Sequence, residues 1–259
     1  NGLAGNLGIA AAALSTGFLV KYFGWRSAFV VPGLVSIACG LAFARIAPDE
    51  TAPPSKRAPK QVDLPMKTLA RVFIVLTITS TLGSLVFNFT TNGNGELLNE
   101  RLAAVTRDPA TLGMLLATVY AVASVAQVVV GWLIDRVALK PLFLGIVATQ
   151  IPLFAFAARA DGWALYALAI AFMVFVFGAI PFTDALIVRY VDDRMRSRVA
   201  GMRLTIAFGI SALAVWLLGP LVKANGFGFL LALLAGIALC STLAILALPG
   251  RTPRQLGGR

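Results

Sequence analysis

Eight apolar stretches, separated by short polar loops, divide this chain of 259 residues. They run over 2–20, 27–47, 70–90, 112–134, 141–157, 164–188, 204–222 and 227–248. A hydrocarbon layer of about 30 Å takes about 20 residues of helix at about 1.5 Å per residue, and most of the stretches reach that length. Lipid is therefore the expected outer solvent. With 59% hydrophobic and only 13% charged residues, the chain has too little polar surface to cover a soluble domain. Strands of a membrane barrel would alternate apolar and polar residues, whereas 165–181 carries no charge and no alternation. Helices remain as the way to satisfy backbone groups in lipid. The expected fold class is all-α, a polytopic transmembrane helical bundle.

The net charge of +11 would suggest nucleic acid in a soluble protein, so its placement decides what it means. If both ends of the chain lie on one side, the opposite side holds Lys21, Arg26, Arg101, Arg107, Arg159 and Lys223, and the first side holds every other Lys and Arg. That asymmetry follows the positive-inside rule, which makes both ends and the Pro-rich loop of 48–65 cytoplasmic in a bacterial-type inner membrane. No aromatic residues interleave with the basic ones, so no nucleic-acid partner is expected. Cys39 and Cys240 sit mid-span among aliphatic residues, where a thiol behaves as a small hydrophobe. With no histidine and a single carboxylate inside a span, neither a metal site, a cofactor site nor a catalytic cluster is expected. A nucleotide-binding fingerprint is absent as well.

The chain begins at Asn1 and runs at once into an apolar stretch, which suggests a piece of a longer protein. Gly17, Leu19, Val20, Lys21 and Gly24 recur as Gly219, Leu221, Val222, Lys223 and Gly226, each copy at the outer end of a span. Six spans separate the copies, so the unit is a six-helix half repeated in tandem. Twelve spans are then expected, the other four before Asn1.

The turn Gly24-Trp25-Arg26-Ser27-Ala28-Phe29 with Val31-Pro32-Gly33 resembles the link between helices five and six of the major facilitator superfamily. Gly131-Trp132-Leu133-Ile134-Asp135-Arg136 with Lys140 is similar to the second-half copy of that family's signature loop, departing from it at Ala138 and Leu139. The resemblance implies that 1–47 holds the last two helices of the first half, 48–69 the central cytoplasmic loop, 70–248 the second half and 249–259 a cytoplasmic tail. It also implies that Gly131, Asp135, Arg136 and Lys140 form a cytoplasmic gate, with Asp135 accepting hydrogen bonds at a neighbouring helix N-terminus; the alternative is an ordinary solvated loop charge. A monomer is the expected state of the complete protein.

Asp184 has apolar neighbours on both sides within a span, where a carboxylate is costly to keep ionised. It is either a proton-coupling residue or half of a structural or gate ion pair with Arg136, Arg189 or Arg203. Pro181 cannot donate to the Phe177 carbonyl, so a hinge is expected over Gly178 to Pro181. Asn88 and Thr91, beside Thr90 and Asn92, stand on a helix that lines the central cavity in the family, and Gln127 is placed similarly; each is a substrate-cavity candidate or an interhelical hydrogen-bonding group. Gln150 reads as packing. Gly8, Ala12 and Thr16 stand four apart, as do Ala123, Gln127 and Gly131, giving faces on which helix backbones can approach closely. Leu97, Leu98 and Leu102, between Asn92 and Asp108, read as a short helix lying on the outer surface. Asp108-Pro109, Asp161 and Pro141 read as helix starts.

The function expected from all this is secondary active transport of a small solute or drug by alternating access. Protons are the coupling ion by resemblance, and symport, antiport, uptake and efflux all stay open. The alternative is a non-transporting permease-like receptor or scaffold. The partners expected are the solute, the lipid bilayer and protons.

Overall fold

The computed structural model describes residues 2–46, 66–190 and 193–248. The Pro-rich loop, the tail and the side chains of Arg189, Arg194, Arg196 and Arg203 lie outside the described residues. Among the described residues seven helices follow one another: α1 Gly2–Phe23, α2 Ser27–Ile46, α3 Met66–Arg101, α4 Pro109–Ile134, α5 Leu139–Ala157, α6 Gly162–Tyr190 and α7 Asp193–Leu246. All seven are long and apolar enough to cross a membrane.

Eight apolar stretches yield seven helices because the last two are joined through Gly226, whose φ of 76° and ψ of 170° are not helical. A straight apolar run over Arg198–Leu246 would reach about 70 Å, more than twice the hydrocarbon thickness. The chain instead turns back at Gly226. Leu218 and Leu230, one on each side of the turn, both face Gly93 of α3. Ser211 in the first arm meets Asn88, while the Ala247 carbonyl beyond the second arm meets Arg71, in the second helical turn of α3. Gly24, the counterpart of Gly226 in the repeated motif, has φ 80° and makes the turn from α1 to α2. Both copies thus place a glycine where a Cβ would be strained.

Several helix boundaries differ from the sequence reading. The leucines between Asn92 and Asp108 do not form a separate surface helix: α3 continues to Arg101, and Leu97, Leu98 and Leu102 are buried. Their shared apolar face finds helices to pack on, so it does not need the lipid surface. Asp108 caps α4 as expected, accepting from the Thr111 backbone N–H at 3.1 Å with Pro109 next in line. Pro141 does not open α5, which begins at Leu139 behind Ala138 with no side-chain cap. α6 begins at Gly162, directly after Asp161 as expected, and the Asp161 carboxylate also pairs with Arg101 at 2.7 Å, tying the end of α3 to the α5–α6 turn.

Two buried clusters hold the bundle. One, around Tyr120, Phe154, Phe172, Phe177 and Leu231, lies toward the Asp108 end. The other, around Phe143, Phe182, Leu186 and Ile245, lies toward the Lys140 end. α2 buries none of its residues.

The tightest helix pair is α1 against α4. A Cβ on Gly17 would lie 2.6 Å from the Pro109 carbonyl oxygen and 2.9 Å from Gly113 Cα, so backbone touches backbone. The face of α1 that makes this seam carries Asn6, Ala10, Ala13 and Gly17, whereas Gly8, Ala12 and Thr16, read from the sequence as the packing stripe, are exposed. Two interleaved stripes of small residues share this helix. The one that ends on Gly17 meets the glycine of α4.

Gly17→Ala should lower thermal stability in detergent by about 1–3 kcal/mol, because the added methyl meets rigid backbone. Gly5→Ala, which meets nothing within 4 Å, should leave the melting temperature unchanged. Equal melting temperatures for both variants would refute the contact.

Candidate functional site

Between the two buried clusters lies a chamber of about 480 Å³. α3 supplies Thr79, Ser80, Ser84 and Asn88; α6 supplies Thr183 and Asp184; α7 supplies Ser211 from its first arm and Ser241 from its second. Asn6 reaches in from α1 and Gln150 from α5. Phe87, Phe143 and Phe208 make up much of the apolar wall.

The polar side chains hold one another across helices. Asn88 donates to the Ser84 carbonyl at 2.9 Å and to Ser211 Oγ at 2.8 Å, joining α3 to α7. Asn6 donates to Gln127 Oε1, joining α1 to α4. Gln150 donates to the Phe175 carbonyl at 3.0 Å, joining α5 to α6. Such bonds in membrane bundles contribute about 0.6 kcal/mol each on average, enough to orient a side chain and weak enough to exchange with a ligand.

Asn88 and Asp184 therefore share one chamber, and Gln127 stands behind it as the partner of Asn6. Thr91 does not reach this chamber. Its hydroxyl donates back to the Phe87 carbonyl, and it lines a second hollow between α1, α3 and α4. Gln150, read from the sequence as packing, faces the chamber despite being buried. Asn6, Ser84, Thr183 and Ser211 carried no signal of their own, because a small polar residue in an apolar span is indistinguishable from a packing residue until its neighbouring helix is known.

Gly178 and Pro181 lie within one unbroken α6. Gly178 is a packing point: a Cβ there would lie 3.2 Å from a Val130 methyl of α4.

The four residues of the signature-like loop separate into distinct contacts. Gly131 has open space around it. Asp135 is exposed at the C-terminal end of α4, with only its backbone N–H bonded, to the Leu133 carbonyl, so the expected contact of its carboxylate with a helix N-terminus is not formed among the described residues. Arg136 stacks on the Trp132 ring at 3.7 Å. Lys140 donates to the Leu246 carbonyl at 2.8 Å and to that of Leu248, and Arg71 donates to the Ala247 carbonyl at 2.6 Å. Two cations thus cover the C-terminal end of α7, where unpaired carbonyls and the helix dipole favour positive charge.

At the opposite end Lys21 of α1 pairs with Asp108 at 2.9 Å, closing the α1–α4 seam beside Gly17 and Gly113. Among the described residues, no group of three His, Cys, Asp or Glu stands close enough to hold a metal ion.

Residues 1–102, which contain α1, α2 and α3, match the family model described as Major Facilitator Superfamily. No curated protein matches the chain. The match and the seven apolar helices fit a transporter of the major facilitator superfamily. A major facilitator transporter is a multi-pass integral membrane protein, with a small-molecule substrate and the lipid bilayer as its partners. The signature-like loop at Gly131 lies beyond the matched residues.

The Lys21 ammonium, with the Thr111 hydroxyl and backbone N–H, holds the Asp108 carboxyl below the ordinary carboxylate range. A carboxyl whose pKa is lowered by folding stabilises the folded form above its unfolded value, about 3.9, and loses that contribution as pH falls through the folded value. Asp108→Asn keeps a side chain that caps α4 well and removes the ion pair. The melting temperature of Asp108→Asn should therefore fall below that of the parent at neutral pH, and the gap should close below pH of about 4. A gap that stays constant down to pH of about 3 would mean the ion pair contributes nothing.

Proposed function

We propose that this chain forms the larger part of a secondary active carrier, in which α1 and the helices that accompany it rock against α3 to α7 and expose the chamber to each side of the membrane in turn. The observation that carries this reading is the chamber itself. Its hydrogen-bonding side chains come from five helices on both sides of the α1–α4 seam, so any relative movement across the seam remodels the binding surface. A binding site that changes with conformation is what couples solute to movement.

Asn88, Ser211 and the Asn6–Gln127 pair orient the solute. Phe87, Phe143 and Phe208 give it an apolar bed. The solute is small, as the chamber volume requires. Asp184 takes up and releases the coupling proton: it lies on a membrane-spanning helix, lines the chamber and is exposed there, so both solute and water reach it. The Lys140 end faces the cytoplasm, in accord with the excess of Lys and Arg there.

The Lys21–Asp108 pair and the Gly17–Gly113 contact hold the far side closed in this conformation. Lys140 and Arg71 fix the cytoplasmic end of α7 while the chamber changes access.

Asp184→Asn should abolish uphill movement of a transported solute in membrane vesicles and leave downhill exchange within about twofold of the parent, because only the proton-coupled step needs the ionisable group. Undiminished uphill transport by Asp184→Asn would remove its coupling role. An absence of flux for every solute in a broad panel, with the protein folded, would favour a receptor or scaffold instead.

A further inference from the structure

The second hollow, about 550 Å³, shares α1 and α3 with the chamber, is closed by α4 and lies nearer the Asp108 end. Its polar lining comes from Thr16 of α1, Thr91, Glu96 and Asn99 of α3, Arg107 just before α4 and Tyr120 within it. The two cavities occupy adjoining levels. On α1, Asn6 belongs to the first and Ile9 to the second; on α3, Asn88 belongs to the first and Thr91 to the second.

Three aromatic rings in contact lie between them. Phe87 of α3 lines the first cavity and Tyr120 of α4 lines the second. Phe177 of α6, fully buried, stands between these two rings, with centroids 5.7 Å from Phe87 and 6.1 Å from Tyr120. The Tyr120 hydroxyl donates to the Thr91 carbonyl at 3.0 Å, which fastens this ring of α4 to α3.

We propose that the second cavity is the far-side vestibule of the solute path, and that Phe87, Phe177 and Tyr120 form the partition separating it from the first chamber. This rests on the first chamber being the solute site. Gly17 and Gly113 both line the vestibule, so parting the α1–α4 seam widens it directly. Tyr120 lies about two turns beyond Gly113 on the same helix, so movement of α4 carries the ring with it, against its hydrogen bonding to α3.

The vestibule wall has the same character as the first chamber, hydroxyl and amide groups set in an aliphatic and aromatic surface. It adds Glu96 and Arg107 at its polar rim. A solute that passes through both cavities carries hydrogen-bonding groups on a compact apolar body.

The partition is tested without knowing the solute. In protein whose native thiols are removed by Cys39→Ala and Cys240→Ala, Ser84→Cys places a thiol in the first chamber and Gly95→Cys places one in the vestibule, where the new side chain makes ordinary contact with Leu116. A charged, membrane-impermeant methanethiosulfonate is then applied to right-side-out and inverted membrane vesicles. Ser84→Cys should react from the Lys140 side, and Gly95→Cys from the Asp108 side. Adding Tyr120→Ala should raise the reaction rate of Ser84→Cys from the Asp108 side by more than about tenfold through gained access, whereas Tyr120→Phe, which keeps the ring, should not. Phe87→Ala serves the same purpose where Tyr120→Ala is not recovered as a monodisperse protein in detergent.

Ser84→Cys that reacts from the Lys140 side but gains nothing from either alanine variant would overturn the partition alone. Equal reaction from both sides before any ring is removed would overturn it as well. Ser84→Cys that reacts from neither side would overturn the first chamber as a solute site, and the partition with it.

Discussion

Lipid offers no hydrogen bonds, so each polar side chain inside this bundle must find its partner within the protein. Most serine and threonine hydroxyls satisfy the requirement on their own helix: Thr77, Thr79, Thr90, Thr118 and Ser124 each donate to the carbonyl four residues earlier. Bonds that cross between helices inside the bundle are fewer, and several gather around the two cavities: Asn6 with Gln127, Asn88 with Ser211, Gln150 with the Phe175 carbonyl and Tyr120 with the Thr91 carbonyl. The groups able to exchange a protein partner for a solute are thus concentrated where a solute has room.

Helix association in such a bundle cannot draw on the hydrophobic effect, because lipid tails are as apolar as the leucines they would replace. Close packing takes its place, and the α1–α4 seam is its clearest case. Glycine against glycine brings two backbones into contact, and the Lys21–Asp108 pair closes the same seam where it meets water. An exposed ion pair of this kind is screened by solvent, so it biases a conformation without locking it. At the other end Lys140 and Arg71 hold carbonyls at the end of α7, contacts within α3 to α7 that a movement of α1 does not break. The seam is therefore the close contact by which α1 meets the rest of the bundle, and the one that the proposed rocking would have to part.

The fold class was legible in the sequence because length and apolar composition alone decide whether a helix can cross a bilayer. Gly24 and Gly226 were legible as a repeated motif, and the structure adds the reason, a left-handed backbone at both. The seam face of α1 was not legible. Gly8-Ala12-Thr16 and Ala10-Ala13-Gly17 are both stripes of small residues, and only Gly113 on another helix distinguishes them. The α3 extension was not legible for a similar reason, since the Leu97-Leu98-Leu102 face suits a membrane surface and a neighbouring helix equally well. Among the site residues, Asn88 and Asp184 stood out as polar groups inside apolar spans. The serines that complete the chamber did not, because a serine that bonds its own helix and one that faces a solute have the same sequence surroundings.

The proposed transport cycle depends on the α1–α4 seam opening and closing at the Asp108 end. The most direct measurement is the distance between spin labels attached at Phe23→Cys on α1 and Val105→Cys before α4, both exposed beside the Lys21–Asp108 pair, in the protein reconstituted in lipid. Two populations are expected, a short distance for the closed seam and a longer one for the open seam. The longer one should grow when Asp108→Asn removes the ion pair. A single short distance, unchanged by that substitution and by an imposed proton gradient, would contradict it.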